Sequence, residues 1–122
     1  MIYSAGHSAT PHYLLGRLTH TGGDILDPAA WKKHSTPVFK PYVGADGAVY
    51  TTGHCTFTAS PDGTEDWMVY HGKSWRSARQ QGFAGRLARA QRIQWTPEGH
   101  PDFGRPTPRK IPIPVPSGSP LQ

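Results

Sequence analysis

Residues 53–71 read GHCTFTASPDGTEDWMVYH and predict a β-hairpin. Within its polar connection, Pro61 presets the backbone angle of a turn, the Asp62 side chain can hydrogen-bond its own backbone, and Gly63 tolerates a positive φ. Two strand-like runs flank this connection, at residues 54–59 and 67–71. The stretch therefore predicts two antiparallel strands joined by a tight turn, and the rest of the chain is interpreted around them.

Further short strands are predicted on both sides of this hairpin. Asp27 followed by Pro28 predicts a single helical turn with Asp27 as its N-cap. Three or four antiparallel strands in succession form a meander, so we expect an all-β fold. The additional strand-like runs are residues 13–19, 87–95 and 101–104, with a short extended piece at 38–39.

Composition agrees with this fold class. Gly and Pro together make up 27 of the 122 residues, 14 and 13 respectively, which disfavours a helical bundle. Prolines recur from Pro106 to Pro120, so residues 106–122 are predicted to form an extended tail that cannot lie inside a sheet. No apolar run is long enough for a membrane-spanning helix, and the single Cys55 excludes an internal disulfide.

Positive charge is concentrated in the second half of the chain. Residues 1–72 contain 4 Lys or Arg and 6 Asp or Glu, whereas residues 73–110 contain 9 and 2. Such an asymmetry makes a basic nucleic-acid-binding protein one hypothesis. The arginines nevertheless stand singly, without a basic run or a known binding module, which is typical of solvated arginines on a sheet. Nucleic-acid binding is therefore the weakest of the functions considered.

Four motifs follow one another in the second half of the chain: GHCTFT at 53–58, SPDGTEDWMVYH at 60–71, GRLARAQ at 85–91 and PDFG at 101–104. Three shorter segments precede them: YSA at 3–5, LLG at 14–16 and GGDILDPAAW at 22–31. In this order they resemble the last part of glycoside hydrolase family 43, above all its α-L-arabinofuranosidase and arabinanase-like members. The resemblance covers about residues 1–105.

The resemblance implies an antiparallel meander that forms the last one to two blades of a five-bladed β-propeller. Residues 1–105 would hold part of the fourth blade and most of the fifth. Family members hydrolyse terminal α-L-arabinofuranosyl or β-xylosyl units with inversion, and the resemblance places their three catalytic carboxylic residues before Met1. We therefore expect no catalytic residue in this chain and no activity from the chain alone.

The carboxylates of the chain agree with that expectation. Inverting hydrolysis needs an acid and a base about 6.5 to 9.5 Å apart in a partly desolvated cleft. All eight carboxylates instead lie in or beside predicted turns or the helix cap, and none forms a recognisable pair: Asp24, Asp27, Asp46, Asp62, Glu65, Asp66, Glu98 and Asp102.

Two residues match functional positions of the family. His54 matches the histidine near the propeller axis, which in many members helps to hold a calcium ion or its water shell and lies at the substrate site. Arg86 matches an arginine that contacts a sugar hydroxyl, a task that suits the fixed fork of a guanidinium. The residues alone leave open a strand histidine with backbone partners and a surface arginine. The family often has Asn or a small residue where Cys55 follows His54 here.

The resemblance also implies partners. An arabinose- or xylose-containing saccharide would be bound, and His71 and Trp75 offer rings that stack on a sugar or belong to the core. One or two blades alone would expose a sheet edge and inner strand faces, so we expect self-association or pairing with a separate N-terminal portion. A non-catalytic carbohydrate-binding module is the alternative function. No signal-peptide pattern starts at Met1, which makes the cytoplasm the default location, although full-length family members are often secreted.

Overall fold

The structure is a computed structural model that describes residues 1–74 and 84–120. Trp75, one of the two rings considered for stacking on a sugar, lies outside the described residues. The described residues form antiparallel strands and one 3₁₀ turn, η1 (Pro28–Ala30), which confirms the all-β class. The strands are β1 (Ile2–Ala5), β2 (Leu14–His20), β3 (Trp31–Lys33), β4 (Tyr42–Gly44), β5 (Gly47–Ala59), β6 (Asp66–Lys73), β7 (Leu87–Arg92), β8 (Gln94–Trp95) and β9 (Pro101–Asp102).

The strands form three sheets among the described residues. The first has the order β1-β2-β3, the second β4-β5-β6-β7, and the third pairs β8 with β9. All neighbours are antiparallel, and the second sheet is the predicted meander. In the same residues, no helix is long and apolar enough to cross a membrane.

The hairpin turn has the predicted chemistry. The Gly63 N–H donates to the Ser60 carbonyl at 2.8 Å, and the Thr64 N–H donates to Asp62 Oδ1 at 3.0 Å. Gly63 adopts a φ of 73°, in the region that favours glycine. The predicted helical turn is also confirmed, since Asp27 Oδ1 accepts the Ala29 N–H at 2.8 Å.

The structure differs from the prediction at the run 87–95. Strand β7 ends at Arg92, and residues 94–95 turn away to pair with β9. Ile93, at the break, is buried, and its N–H donates to the Asp66 carbonyl at 2.8 Å. Burial of this one side chain anchors the bend. Strands β1, β3, β4 and the first half of β5 were not predicted.

One apolar core joins the sheets. The Phe39 ring lies edge-on against Tyr70, with centroids 4.8 Å apart at 80°, and it also meets Phe103 at 6.3 Å. The Leu15 N–H donates to the Phe39 carbonyl at 2.8 Å, so backbone pairing fixes the segment that carries this ring. The core consists of Leu15, Phe39, Met68, Tyr70, Ile93 and Phe103.

The proline-rich segment packs back onto the sheets. Arg89 Nη1 donates to the Thr107 carbonyl at 3.2 Å, and at the other end the Ser117 hydroxyl binds Asp62 while its N–H donates to Glu65 Oε2 at 3.1 Å. Within residues 103–120 the structure describes no strand, as expected for a chain rich in proline. The boundary between a unit at 1–105 and a tail at 106–122 stays a prediction.

We predict that Phe39→Ala lowers the free energy of unfolding by about 3–5 kcal/mol, because it removes a fully buried ring and leaves a cavity between the sheets. Val43→Ala is the control, since Val43 is 67% exposed on β4 and its truncation should cost no more than about 0.5 kcal/mol. Urea unfolding followed by tryptophan fluorescence measures both. Equal losses in the two variants would contradict the assigned core.

Candidate functional site

Two β-bulges bend β5 and set the position of the candidate site. Between Tyr50 and Gly53 two residues of β5 oppose one of β6, and the same count repeats between Gly53 and Thr56. Each bulge contains a residue with positive φ, Thr51 at 53° and His54 at 51°. This conformation is uncommon outside glycine and costs about 1–3 kcal/mol per residue. Bulges redirect side chains out of a regular strand, and here the redirected residue is the predicted His54.

The backbone of His54 is fastened to the first sheet. Its N–H donates to the Ser4 hydroxyl oxygen at 3.0 Å across 50 positions of sequence, while the His54 residue as a whole is exposed. The neighbouring Gly53 is buried against the Tyr13 ring so closely that a Cβ at residue 53 would overlap it. The bulge therefore holds the His54 imidazole outward, while Ser4 and Tyr13 fix the backbone of residues 53 and 54.

The His71 ring occupies the centre of the candidate site. It lies on β6 and stacks on Tyr13, with centroids 5.4 Å apart and planes at 17°. The His54 ring approaches it to 6.0 Å at 30°. Arg86, which directly precedes β7, places its Nη1 at 3.3 Å from His71 Nε2. The structure thus places both His54 and Arg86 next to a third residue, His71.

This contact determines the proton state of His71. A guanidinium only donates, so Nε2 accepts and the proton of the neutral ring sits on Nδ1. Desolvation, followed by the charges of Arg86 and His54, lowers the pKa of His71 from 6.5 to about 4. The ring is therefore neutral near pH 7, and Arg86 carries the positive charge of the pair. We name His54, His71, Arg86 and Tyr13 the His71 cluster.

The eight carboxylates are engaged elsewhere, mostly with turns, caps and ion pairs. A general acid needs a raised pKa, but hydrogen bonds hold the pKa of Asp46, Asp62, Glu65 and Glu98 below the ordinary value. The contacts are Asp24 with Leu26, Asp27 with Ala29, Asp46 with Tyr42 and Arg105, Asp62 with Thr64, Glu65 with Trp67 and Arg92, Asp66 with Trp95, Glu98 with Thr96, and Asp102 with Gly104.

The described residues alone do not fit a calcium ion. Calcium takes six to eight oxygen ligands, whereas the cluster offers two imidazoles beside the Arg86 cation. Across residues 1–74 and 84–120, no group of three or more His, Cys, Asp or Glu side chains is placed to hold a metal. The structure leaves His54 as a single candidate ligand, and a calcium ion there would need oxygen ligands from outside these residues.

Sequence reasoning missed two members of the site. Ser4 binds the His54 backbone and Tyr13 stacks on His71, yet both precede their partners by more than forty positions. Nothing in their local pattern distinguishes them from ordinary strand residues. Gly53 was the sequence feature that could have indicated this part of the site, because a glycine within a strand often marks a bulge or a close approach of another group to the backbone.

Comparison with known proteins identifies the family. The model of glycosyl hydrolases family 43 matches residues 1–101. Alpha-L-arabinofuranosidase B of Pyricularia oryzae is 34% identical over 109 residues, which are 87% of this chain and 22% of that protein. An extracellular exo-alpha-(1->5)-L-arabinofuranosidase of Streptomyces avermitilis is 38% identical over 110 residues, again 87% of this chain and 22% of that protein.

A solved structure agrees with the sequence matches. The crystal structure of an alpha-L-arabinofuranosidase from Lactobacillus brevis superposes with a TM-score of 0.78 at 32% identity, over 91% of this chain and 34% of that one. The chain thus spans about a fifth of the length of the curated relatives above. The motifs read from the sequence, the match over residues 1–101 and the shared fold lead to one assignment: the chain belongs to glycosyl hydrolases family 43.

Proposed function

We propose that this chain is the C-terminal portion of a glycosidase that releases terminal α-L-arabinofuranosyl units, or β-xylosyl units, from plant polysaccharides by inverting hydrolysis. The observation that carries the proposal is the meeting of His54 and Arg86 at His71. Relatives named as arabinofuranosidases support arabinose as the sugar. The name of the Streptomyces avermitilis relative describes an extracellular enzyme, so we propose secretion rather than a cytoplasmic location.

In this proposal the two larger sheets are parts of the fourth and fifth of five propeller blades. Strand β1 is the edge of its sheet, so its outer backbone groups are available to a further strand. Strand β5 is the first long strand of the second sheet and contacts both β1 and β2. A strand from the preceding portion of the protein would pair with β1 and complete the blade. The alternative is that two copies of this chain associate through the same β1 edge.

Within the complete site, we assign substrate binding to the His71 cluster. Arg86 would donate two parallel hydrogen bonds to neighbouring sugar hydroxyls. His71 would hold the guanidinium in place through Nε2, and His54 would present its exposed imidazole beside it. The proton transfers would fall to carboxylates outside this chain. Calcium, if present in the complete protein, would take His54 as one ligand or would hold a water bound to it.

We predict that Arg86→Ala weakens binding of arabino-oligosaccharides by at least about tenfold, because charge-assisted hydrogen bonds contribute about 1.5–3 kcal/mol. Arg92→Ala, at the other end of β7, is the matched control, since its ion pair with Glu65 is partly exposed and contributes little. Isothermal titration calorimetry measures both. Unchanged affinity in Arg86→Ala would remove Arg86 from the site.

We predict that this binding is constant from pH 7 to about pH 5 and falls as the pH drops through about 4, where His71 gains a proton and repels Arg86. His71→Phe keeps a ring against Tyr13 but removes the acceptor, so its weaker binding should lack this fall. The free energy of unfolding should also decrease below pH 6.5, because the unfolded chain takes up the proton first. Binding titrations with a calcium chelator present measure the change in affinity, and circular dichroism at each pH measures the change in stability separately.

We predict that the chain alone does not hydrolyse 4-nitrophenyl α-L-arabinofuranoside above the rate in buffer, although it binds the sugar. Its carboxylates are engaged in turns, caps and ion pairs, and none has the raised pKa that a general acid requires; hydrogen bonds lower the pKa of Asp46, Asp62, Glu65 and Glu98. Absorbance of released nitrophenol is the measurement. Binding without turnover fits both the proposed portion of an enzyme and a non-catalytic carbohydrate-binding module. Turnover that appears when the preceding portion of the protein is added supports the enzyme and excludes the module.

A further inference from the structure

One side-chain contact joins strand β1 to the bulge that carries His54. The Ser4 hydroxyl oxygen accepts the His54 N–H at 3.0 Å, and Ser4 itself is fixed in the first sheet opposite Leu15 of β2. Both Ser4 and His54 are exposed. This hydrogen bond therefore lies at the protein surface, where the first sheet meets the candidate site.

The pairing of β5 with β6 leaves the backbone of residue 54 to be fixed by other contacts. Gly53 lies opposite His71 and Thr56 lies opposite Val69, so His54 falls within the bulge between these two pairs. The ladder of a sheet is locally disrupted at a bulge. His54 also has a φ of 51°, which a residue other than glycine adopts at a cost in free energy. An acceptor on the His54 N–H offsets part of this cost.

The backbone conformation of His54 decides where its imidazole lies. At this φ the ring lies 6.0 Å from the His71 ring, with the planes at 30°. Desolvation lowers the pKa of His71, and the charges of Arg86 and His54 lower it further. A return of residue 54 to the extended conformation would turn its Cβ in another direction and move the imidazole away from His71. The position of this side chain in the cluster thus depends on the contact that keeps φ positive.

We propose that Ser4 is a positioning residue of the sugar site: its hydroxyl holds residue 54 at positive φ and thereby keeps the His54 imidazole beside His71 and Arg86. This role rests on the function proposed above, and Ser4 acts through His54 rather than on the sugar. A contribution to the stability of the fold is the alternative. Because both residues are exposed, water would replace the hydroxyl on the N–H after a substitution. Loss of the contact should therefore change the position of His54 more than the stability of the fold.

Two variants of the same shape isolate the hydroxyl. Ser4→Thr keeps it and Ser4→Val replaces it with a methyl group, and both side chains suit a strand. Ser35→Ala is the control, since Ser35 is an exposed serine that follows β3, at the opposite edge of the same sheet. Urea unfolding should give Ser4→Val and Ser4→Thr the same midpoint. A large loss of stability in Ser4→Val alone would assign the hydroxyl to the fold and overturn the proposal.

The first measurement needs no sugar. In NMR spectra of the isotopically labelled chain, the NOE between the amide and α protons of residue 54 is much stronger at positive than at negative φ. We expect a strong NOE in the unaltered chain and in Ser4→Thr, and a weak one in Ser4→Val. The pKa of His71, read from its ring protons, should rise in Ser4→Val alone, because the His54 charge moves away. A strong NOE in Ser4→Val would overturn the proposal.

The second measurement connects Ser4 to His54 through sugar binding. Isothermal titration calorimetry with arabinotriose should give Ser4→Val a dissociation constant about fivefold or more above that of Ser4→Thr, while Ser35→Ala matches the unaltered chain. In a His54→Ala background the two Ser4 variants should bind equally, because the side chain that Ser4 positions is gone. An equal loss in both backgrounds would show that the hydroxyl acts elsewhere, which would also overturn the proposal.

The two measurements separate failure of this proposal from failure of the proposed function. An unaltered chain that does not bind arabinotriose contradicts the proposed sugar site, and the NOE then decides whether Ser4 holds His54. An unaltered chain that binds as well as both Ser4→Val and Ser4→Thr keeps the proposed site and removes Ser4 from it.

Discussion

The double bulge of β5 is the constraint on which the rest of the structure depends. A regular thirteen-residue strand would continue in one direction, but β5 pairs with β4 over residues 47–49 and with β6 over residues 50–59, while packing on the first sheet. The two residues at positive φ, Thr51 and His54, absorb the change of direction. Their conformational cost is met by the contacts at the bend, among them the Ser4 hydroxyl on the His54 N–H. The bulges of β5 therefore produce three things together: the bend of the strand, its contact with the first sheet and the outward position of the His54 imidazole.

The sequence predicted the features that depend on residues close together along the chain, and it missed those that depend on distant contacts. The hairpin turn and the helical turn were predicted because Asp62, Gly63 and Asp27 act within a few residues of themselves. The bulges were missed because Thr51 and His54 are not residues that normally adopt a positive φ. Strand β1 is four residues long and has no alternation, so only its pairing with β2 defines it. The break at Ile93 likewise depends on a core that forms only in three dimensions.

The candidate site was likewise predicted only in part. His54 and Arg86 were found through motifs, and the structure adds the physical reason why they belong together, which is the shared contact with His71. Spacing could not have shown this, since the three residues come from β5, β6 and the start of β7. Tyr13 directly precedes β2 of the first sheet, and its ring has room to reach His71 because residue 53 is a glycine. Long-range packing, rather than local pattern, sets these positions.

The distribution of charge in the His71 cluster suits the proposed role in binding better than a role in proton transfer. Near neutral pH the His71 cluster combines the Arg86 cation with a His71 ring that burial and that cation keep neutral. A cation favours ionised carboxylates in its vicinity and so lowers their pKa, which is the opposite of what a general acid requires. In the proposed enzyme, a general acid would therefore lie apart from Arg86 and in a drier environment. The carboxylates of this chain lie mostly at turns and in ion pairs, where hydrogen bonds lower the pKa of Asp46, Asp62 and Glu65. In the proposed function, the same fold would provide a sugar contact and would leave proton transfer to residues beyond this chain.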